Sequence, residues 1–376
     1  MVIIFVAVIA GILFFLQKYL YKKNWQKGVE VFLQFDKESV TAGENVRLLE
    51  VVENRKYLPL PSLKVKFQCS RHLVFLDATN SAVTDRYYRN DLFSVMPYKR
   101  ITRSNKLFCP QRGYFSINGV DLVGADLFFS EEMVGRRDTS TSLYVYPAPA
   151  KNYDLEDALK KINGEIAVKR YVLEDPFTFR GIREYHQSDE MKTVNWKATA
   201  RTGDLKVNMR EHTAVKNVRI FLNLSDRNIL RREELLELSI SVAKRIVTEL
   251  LSQGIQLSLY ANAKDCISGQ ILEMKNRGSG TNLPDIDKAL ARLDLEQQPA
   301  NFAECFYDEL FGEDDLYTIF VSPERHDEFQ DLLCEYGRKG DFTWLCPIKD
   351  ATDDTICSEI AENTRVLLFE ENKVSE

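Results

Sequence analysis

The residues best suited to chemistry or recognition are concentrated in one stretch, FTFRGIREYHQSDEMKTVNWKATARTGDLKVN, which begins at Phe177. Arg183 and Arg201 carry planar guanidinium groups that pair bidentately with carboxylates, and Asp189 lies between them in the chain. Trp196 combines a large apolar face with one hydrogen-bond donor, which suits either packing or a protein interface. The stretch therefore predicts either an ion-paired structural brace or a docking surface for a protein partner, and both interpretations stay open.

Enzyme chemistry has weaker support in the sequence. His186 and Asp189, with Glu184 nearby, could form an acid–base set, but a local density of polar groups does not establish catalytic geometry. The four histidines have no metal-ligand spacing, and the sequence contains no phosphate-binding loop, dinucleotide fingerprint, G-x-S-x-G elbow or zinc motif. We therefore predict a protein that is not an enzyme and needs no cofactor, with a hydrolase as a minor alternative.

The same stretch resembles the signature of a prokaryotic family, domain of unknown function number 58. That signature has an F-x-x-[LI]-R-x-Y motif, a Gly-Asp turn and a D-W-x-x-[ST]-A-R-x-x-x-L motif. The following residues match it: Phe179, Ile182, Arg183, Tyr185, Asp189, Trp196, Lys197, Ala200, Arg201 and Leu205. Ser188, Lys192 and Asn195 stand where the family usually has Gly, Arg and Asp, so an ion pair made by relatives at the position of Asn195 is not expected here. The resemblance implies a docking or structural signature formed by Arg183, Tyr185, Asp189, Trp196, Lys197 and Arg201.

The N-terminus has the composition of a membrane anchor. Met1–Leu16 contains no charged side chain and is apolar throughout, and apolar character resumes at Tyr19. A helix over residues 1–21 would be about 31 Å long, close to the roughly 30 Å thickness of the bilayer hydrocarbon. Lysines follow the apolar run rather than precede it, and no small-residue cleavage site is present, so an uncleaved anchor is favoured over a signal peptide. The positive-inside rule then predicts a single-pass protein of the cell inner membrane with most of the chain in the cytoplasm.

Composition favours a globular body in a reducing compartment. The 376 residues are 44% hydrophobic and 28% charged, which is typical of folded domains. The formal net charge of −6 argues against nonspecific nucleic-acid binding, which needs a basic surface. The seven cysteines are odd in number and include no C-x-x-C pair, so buried thiols are favoured over a disulfide framework.

Hydrophobic periodicity predicts a mixed fold after the anchor. Residues 28–147 contain short strands separated by turns, such as Val29–Phe35 and Asn45–Glu53, and predict an antiparallel β-sandwich of immunoglobulin-like type. Residues 148–214 contain the signature and are predicted to bridge two domains. Residues 215–372 alternate strands with helices, beginning with the apolar run Val218–Ser225 and a helix near Arg231–Gln253. This alternation predicts a doubly wound, Rossmann-like α/β layer with a parallel sheet.

The resemblance also implies that the α/β layer is similar to a von Willebrand factor A domain. Such domains often bind a divalent cation at the carboxyl edge of the sheet through D-x-S-x-S, a distant Thr and a further Asp. Here Asn223 and Arg227 stand at the first Asp and second Ser positions, whereas Ser225 and Thr281 retain hydroxyls, and no clear acidic ligand follows Ser322. A lost carboxylate and an added cation weaken divalent binding. We therefore predict a degenerate site, with divalent cation binding as the alternative.

These observations predict a membrane-anchored, non-enzymatic protein-interaction module. The resemblance implies a MoxR-type AAA+ ATPase as the partner, and chaperone-like assembly or activation of other proteins as the process. The competing interpretation is a cation-dependent adhesion or receptor module, which requires the reversed topology and an intact metal site. No nucleic-acid partner is expected.

Overall fold

The computed structural model describes residues 2–77, 81–83, 86–172, 179–186, 189, 191–210, 217–226, 232–275, 282–312, 316–349 and 356–369. It divides the chain into two compact units. Unit 1 comprises Met1–Ala148 and Asp287–Arg292, and unit 2 comprises Pro149–Ile286 and Leu293–Glu376. The chain has an apolar N-terminal helix, a β-rich region and a region of mixed α/β content, which confirms the predicted mixed fold at that level.

The apolar N-terminal run forms the helix α1 (Val2–Asn24). Within the described residues it is the one helix long and apolar enough to cross a membrane, and most of its large apolar side chains are exposed. The helix extends beyond the predicted limit at residue 21 because Lys22 and Lys23 are good helix formers. Tyr21 and Trp25 are buried in the core of unit 1, so the helix joins the folded unit through its C-terminal end.

Unit 1 is built from two sheets around a common core. Its described strands are β1 (Val29–Phe35), β2 (Ser39–Thr41), β3 (Asn45–Asn54), β4 (Leu60–Ser70), β5 (Val74–Phe75), β6 (Ser81–Val83), β7 (Arg86–Val95), β8 (Arg100–Phe108), β9 (Gly113–Ala125) and β10 (Glu132–Tyr146). One sheet has the order β1-β3-β8-β5 and the other β2-β10-β9-β4-β7-β6, and every pairing is antiparallel except that of β2 with β10. Alternate side chains of both sheets, such as Leu48 of β3 and Val65 of β4, form one buried cluster.

Charged residues lie inside this apolar core. Glu50 of β3 and Arg89 and Asp91 of β7 are each at most 2% exposed. Arg89 Nε lies 2.6 Å from Asp91 Oδ2, and Arg103 Nη1 of β8 lies 3.0 Å from Asp91 Oδ1. Asn105 of β8 accepts a hydrogen bond from Arg89 Nη2 at 3.2 Å and donates one to Glu50, which links the two sheets. We call these five residues the buried charge cluster.

The buried charge cluster makes the stability of unit 1 depend on pH in a defined direction. Burial, followed by the neighbouring Asp91 carboxylate, raises the pKa of Glu50 from 4.5 to about 8. Between these values the folded chain holds a proton that the unfolded chain has released, so the free energy of unfolding falls as pH rises. Replacing Glu50 by Gln removes this titration. We expect Glu50→Gln to be close to the wild type in stability near pH 5 and to be more stable by about 4 kcal/mol at pH 8.5, because each pKa unit of the shift corresponds to about 1.4 kcal/mol.

Urea unfolding at the two pH values, followed by hydrogen–deuterium exchange of peptides from β3 and β7, measures this difference for unit 1 alone. Glu38→Gln is the matched control because it makes the same chemical change at an exposed position of the same unit. If the stability difference between Glu50→Gln and the wild type does not change with pH, the proton on Glu50 has been wrongly assigned.

Unit 2 contains a small two-stranded sheet, β11 (Phe179–Glu184) with β12 (Lys206–Arg210), and a larger sheet. The described strands of the larger sheet are β13 (Asn217–Leu222), β14 (Gln256–Lys264), β15 (Ile271–Met274), β16 (Tyr317–Val321), β17 (Phe342–Ile348) and β18 (Thr364–Leu368). Their order is β15-β14-β13-β16-β17-β18, and every neighbouring pair is parallel except β14 with β15. All residues of β16 and β17 are buried, as expected for parallel strands covered on both faces.

The helices described after unit 1's strands are α2 (Tyr153–Val172), α3 (Trp196–Thr202), α4 (Glu233–Ser252), α5 (Leu283–Ala291), α6 (Phe302–Phe311) and α7 (Asp327–Gly337). β14 pairs with one edge of β13 and β16 with the other, so the strand order reverses between β13 and β16. In open α/β sheets, ligands bind beyond the carboxyl ends of the strands at such a reversal. Asn223 and Ser322, which follow β13 and β16, lie at this point.

The sequence pattern predicts no helix in residues 148–214, yet α2 occupies the first part of that range. Its buried side chains are Leu155, Ala158, Leu159, Ile162 and Ile166, which follow the i, i+3, i+4, i+7 spacing of an amphipathic helix. The helix packs on β18, and its Glu156 pairs with Arg245 of α4 at 3.0 Å. The pattern was present in the sequence, but the many charged residues between these positions obscured it.

Candidate docking surface and sheet-edge site

The described part of the signature segment, residues 179–186, 189 and 191–208, forms a hairpin with a short helix. β11 and β12 pair antiparallel, with Ile182 opposite Asn208 and Glu184 opposite Lys206. A 3-10 turn at Met191–Thr193 and the helix α3 occupy the connection between the two strands. The segment thus has its own hydrogen-bonded framework, which explains why neither helical nor strand periodicity runs through its whole length.

Arg183 and Asp189 form the bidentate pair that their side-chain geometry allows. Arg183 Nη1 and Nη2 each lie 2.6 Å from one carboxylate oxygen of Asp189. The Asp189 carboxylate also accepts the backbone N–H of His186 at 2.8 Å, and the Arg183 guanidinium donates to the carbonyl oxygen of Glu184 at 2.9 Å. These contacts close the turn that follows β11, so this pair braces the signature segment itself.

The same contacts make Asp189 a poor general base in the acid–base set predicted with His186. The hydrogen bonds from Arg183, and then the one from the His186 backbone, lower the pKa of Asp189 to about 2. A general base works best when its pKa is near the operating pH. The carboxylate is held as the counter-ion of a guanidinium, so the geometry of this turn does not favour the hydrolase alternative.

α3 is fixed at both ends by hydrogen bonds. Asn195 is its N-cap, and its side-chain oxygen accepts the backbone N–H of Ala198 at 2.9 Å. The Asn195 amide nitrogen donates to Asn208 of β12 at 2.6 Å, and Thr199 Oγ1 accepts the backbone N–H of Lys206 at 3.0 Å. Asn195, which replaces the usual Asp of the resembled family, therefore makes neutral hydrogen bonds that hold the helix against the strand.

The remaining predicted signature residues face solvent or lie near the surface. Trp196 is 63% exposed, Lys197 and Arg201 are exposed, and Tyr185 is half-buried. Three further apolar side chains of the signature segment are also exposed: Ile182 at 45%, Met191 at 56% and Leu205 at 39%. Of the six predicted residues, the structure pairs Arg183 with Asp189 and presents Trp196, Lys197 and Arg201 outward. The sequence interpretation did not single out Met191, although its apolar type in a polar stretch was a usable signal.

In the described residues, the predicted cation edge contains a hydrogen-bond network of amide and hydroxyl groups that also includes the Glu324 carboxylate. Asn223 is fully buried, and its side-chain oxygen accepts from the backbone N–H of Ser225 and from Asn262 Nδ2, each at 3.0 Å. Asn262 also donates to Ser225 Oγ at 2.9 Å and accepts the backbone N–H of Leu224 at 2.8 Å. Asn223 and Ser225 thus belong to one polar cluster at the strand-order reversal.

Glu324 is the acidic group that the sequence interpretation failed to find beyond Ser322. It is 7% exposed, and its Oε2 accepts a hydrogen bond from Asn223 Nδ2 at 2.7 Å. Its backbone N–H donates to Ser322 Oγ at 3.1 Å, which holds the turn after β16. An amide donor therefore faces this carboxylate, at the position that the resemblance assigns to the first Asp of a cation site. Arg227 and Thr281 lie outside the described residues, and the prediction of a degenerate site stays a prediction.

Within the described ranges, no group of three or more His, Cys, Asp or Glu side chains has an arrangement that could hold a metal ion. In the described contacts, the acidic side chain that hydrogen-bonds to Asn223 is that of Glu324. Besides Glu324, a cation there would have to rely on amide and hydroxyl oxygens, which are weaker ligands than carboxylates for Mg²⁺ and Ca²⁺.

No protein-family model matches the chain, and no curated protein matches it. Among solved structures, it is similar to a chain of the Coh-OlpA–Doc918 cohesin–dockerin complex from Clostridium thermocellum, at 10% identity over 32% of this chain and 99% of that chain, with a TM-score of 0.24. It is also similar to a non-cellulosomal cohesin from Archaeoglobus fulgidus, at 9% identity over 31% of this chain and 91% of that chain, with a TM-score of 0.21. The CARDB domain of the PF1109 protein from Pyrococcus furiosus is 16% identical over 31% of this chain and 90% of that chain, with a TM-score of 0.20. Scores this low establish neither a shared fold nor a shared function.

Proposed function

We propose that the chain is a membrane-anchored, non-enzymatic protein-interaction module of the domain of unknown function number 58 family. Its anchor is α1, and the lysines that follow the apolar run support a cytoplasmic location for the bulk of the chain. The partner is a MoxR-type AAA+ ATPase, and the process is assembly or activation of other proteins. The dense match of the signature segment to the family motif supports the family and, through it, the partner.

The finer fold assignment belongs to the same proposal. Unit 1 is an immunoglobulin-like β-sandwich, supported by its two sheets and their common buried cluster. Unit 2 is a von Willebrand factor A-like domain, supported by its largely parallel sheet with a strand-order reversal between β13 and β16. In this proposal the sheet edge of unit 2 uses the Asn223–Glu324 hydrogen bond in place of a metal ion.

The observation that carries the docking proposal is the 63% exposure of Trp196 on a helix that is fixed at both ends. A large aromatic side chain on a rigid support loses little conformational entropy on binding, and exposed tryptophans are frequent hot spots of interfaces. Ile182, Met191 and Leu205 add apolar surface within the same segment. We call these four residues the docking face.

Two positively charged side chains, Lys197 and Arg201, lie on the same helix as Trp196 of the docking face. Both are exposed residues of α3, and they are one helical turn apart. The chain as a whole carries a net charge of −6, so this positive surface is a local feature. A partner surface with an apolar pocket and an acidic rim would therefore complement the docking face.

We expect Trp196→Ala to weaken binding of the full-length protein to the MoxR-type ATPase of the same organism by about tenfold or more. The full chain is placed in nanodiscs, and its affinity for the purified ATPase is measured by biolayer interferometry with ATP and Mg²⁺. Tyr153→Ala is the matched control because it removes an exposed aromatic side chain elsewhere in unit 2. Thermal unfolding of both variants shows whether the fold is unchanged.

Two results would reject this assignment. Wild-type protein that does not bind the ATPase would remove the proposed partner. Binding that survives Trp196→Ala at full strength would leave the ATPase as partner but move the contact away from the docking face.

A further inference from the structure

The hairpin loop between β9 and β10 exposes three consecutive large apolar side chains. Leu127, Phe128 and Phe129 are 46%, 64% and 65% exposed. Turns between strands are normally built from glycine and small polar residues. A run of three exposed apolar residues is a defect on a water-facing surface unless it has a function. Transfer of these three side chains from water to an apolar environment would therefore be favourable.

The loop is held in one conformation by the residue that precedes the tip. Asp126 is 1% exposed, and its carboxylate accepts hydrogen bonds from the backbone N–H and the hydroxyl of Ser130, each at 2.6 Å, and from Gln17 of α1 at 2.9 Å. Phe129 has a φ of 55°, a left-handed conformation that bulky residues rarely adopt. Strain of this kind persists where surrounding contacts impose it, and here they direct the aromatic tip outward.

The loop tip lies beside the apolar part of α1. The rings of Phe128 and Phe14 have centroids 5.6 Å apart, and Glu131, at the far end of the loop, lies 3.2 Å from Lys18. Phe14 precedes Lys18 by one helical turn, about 6 Å along the axis towards the apolar N-terminal run. Phe128 is therefore level with the apolar segment, whereas Glu131 is level with the first lysine.

Two tyrosine-bearing turns lie at the same end of the sheets. Tyr57, between β3 and β4, is 63% exposed, and Tyr98, between β7 and β8, is 70% exposed. Asn54 at the end of β3 pairs with Val29, where the chain enters β1 after α1, and its amide donates to the carbonyl oxygen of Met96 at 3.2 Å. Tyrosine is enriched at the headgroup level of membrane proteins. This end of unit 1 thus has the composition of a surface that meets a bilayer.

We propose that the loop tip Leu127–Phe129 inserts into the boundary between the headgroups and acyl chains of the bilayer that α1 spans. The partner is the lipid itself, and the tip forms a second membrane contact beside the helix. This inference rests on the membrane anchoring proposed above. Tyr21 and Trp25 are buried in the core, so α1 is attached to the sheets of unit 1. A second contact at the loop tip would fix the orientation of those sheets relative to the bilayer.

The test places the photoreactive residue p-benzoylphenylalanine at one position at a time in the full-length protein. The protein is reconstituted in phosphatidylcholine–phosphatidylglycerol liposomes, irradiated, and examined by mass spectrometry for lipid adducts. The positions are Phe128 and Phe129 in the tip, Phe5 in α1 as the anchor control, and Leu76 as the negative control. The Leu76 side chain is 59% exposed, and its backbone N–H donates to the carbonyl oxygen of Lys106, near the opposite end of the four-stranded sheet.

We expect lipid adducts at Phe5, Phe128 and Phe129 and none above background at Leu76. Adducts at Phe5 without adducts at Phe128 or Phe129 would overturn the second contact and leave the anchor in place. A tip that cross-links only to α1 would overturn it in the same way. No adducts at Phe5 would reject the membrane anchor itself, and equal adducts at Leu76 would reject a specific insertion of the tip.

Discussion

Replacing Asp91 by Asn is expected to lower the free energy of unfolding of unit 1 by about 3–5 kcal/mol. The side chains have almost the same shape, so the loss is electrostatic rather than a packing defect. Arg89 is 2% exposed and depends on Asp91 for contacts at 2.6 Å and 3.4 Å. Removing one partner of a buried ion pair leaves the other charge without compensation, which costs far more than the intact pair contributes.

The cost should depend on pH because Glu50 is a second acid in the same cluster. The Asp91 charge is the second influence, after burial, that raises the pKa of Glu50. Without that charge, Glu50 ionises more easily and supplies a replacement anion near Arg89. We therefore expect the destabilisation by Asp91→Asn to be smaller above pH 8 than at pH 6, whereas a simple packing defect would cost the same at both pH values.

Urea unfolding with hydrogen–deuterium exchange of peptides from β7 and β8 measures the effect. Asp121→Asn is the matched control, because Asp121 is exposed on β9 and its substitution should change stability by no more than about 0.5 kcal/mol. Adding Arg89→Met to Asp91→Asn should recover part of the loss, since it removes the uncompensated cation. A loss below about 1 kcal/mol for Asp91→Asn would mean that water screens the pair of Arg89 and Asp91, and its description as a buried ion pair would be wrong.

The members of this cluster could have been identified from the sequence, but their contacts could not. In β3 the buried positions Val46, Leu48 and Val52 alternate, and Glu50 falls on the same face. In β7, Arg89 and Asp91 likewise fall among the inward positions. Period-two alternation thus marks charged residues that point into the core. Which charge meets which depends on the pairing of strands far apart in the chain, and that register is not encoded locally.

The sheet edge shows the same limit in unit 2. Continuous apolar runs predicted the central strands well, because a parallel strand buried on both faces leaves a distinct sequence pattern. The positions of Asn223 and Ser225 at the strand end followed directly from β13. Glu324 was missed because a turn through Pro323 separates it from β16, and the direction of its side chain depends on that turn. The contact between Asn223 and Glu324 follows from β13 and β16 being neighbours, which the sequence alone left open.

The signature segment was located by residue type, but its exposure was not predictable. Ion-paired residues and docking residues have the same composition, and only the fold separates Arg183 and Asp189, which pair, from Trp196, which faces solvent. The exposure of Trp196 depends more on the capping residues of α3 than on hydrophobic periodicity. Asn195 and Gly203 define the ends of α3 and thereby place Trp196 at its first turn.

Replacing Asn223 by Asp is expected to lower the free energy of unfolding of unit 2 by about 2–4 kcal/mol in the presence of a chelator. The Asn223 amide donates to Glu324 at 2.7 Å, so the substitution places two carboxylates at that distance in a buried site. Two carboxylates this close require a proton or a cation between them. We therefore expect Mn²⁺ or Mg²⁺ to restore part of the lost stability in Asn223→Asp and to leave the wild type unchanged.

Urea unfolding with hydrogen–deuterium exchange of peptides from β16 and β17 measures the effect in unit 2. Trp344 of β17 lies beside this site, because its indole N–H donates to the carbonyl oxygen of Ser322 at 3.1 Å. Asn301→Asp is the matched control: Asn301 is the exposed N-cap of α6, where Asp and Asn are nearly equivalent. Full stability of Asn223→Asp in chelator would show that Asn223 and Glu324 are not in contact. Stabilisation of the wild type by a divalent cation would show that the amide does not replace the metal. If the Asn223 amide fully satisfies Glu324, a divalent cation gains little by binding and the wild type is not stabilised. Stabilisation of the wild type would therefore favour the cation-dependent alternative.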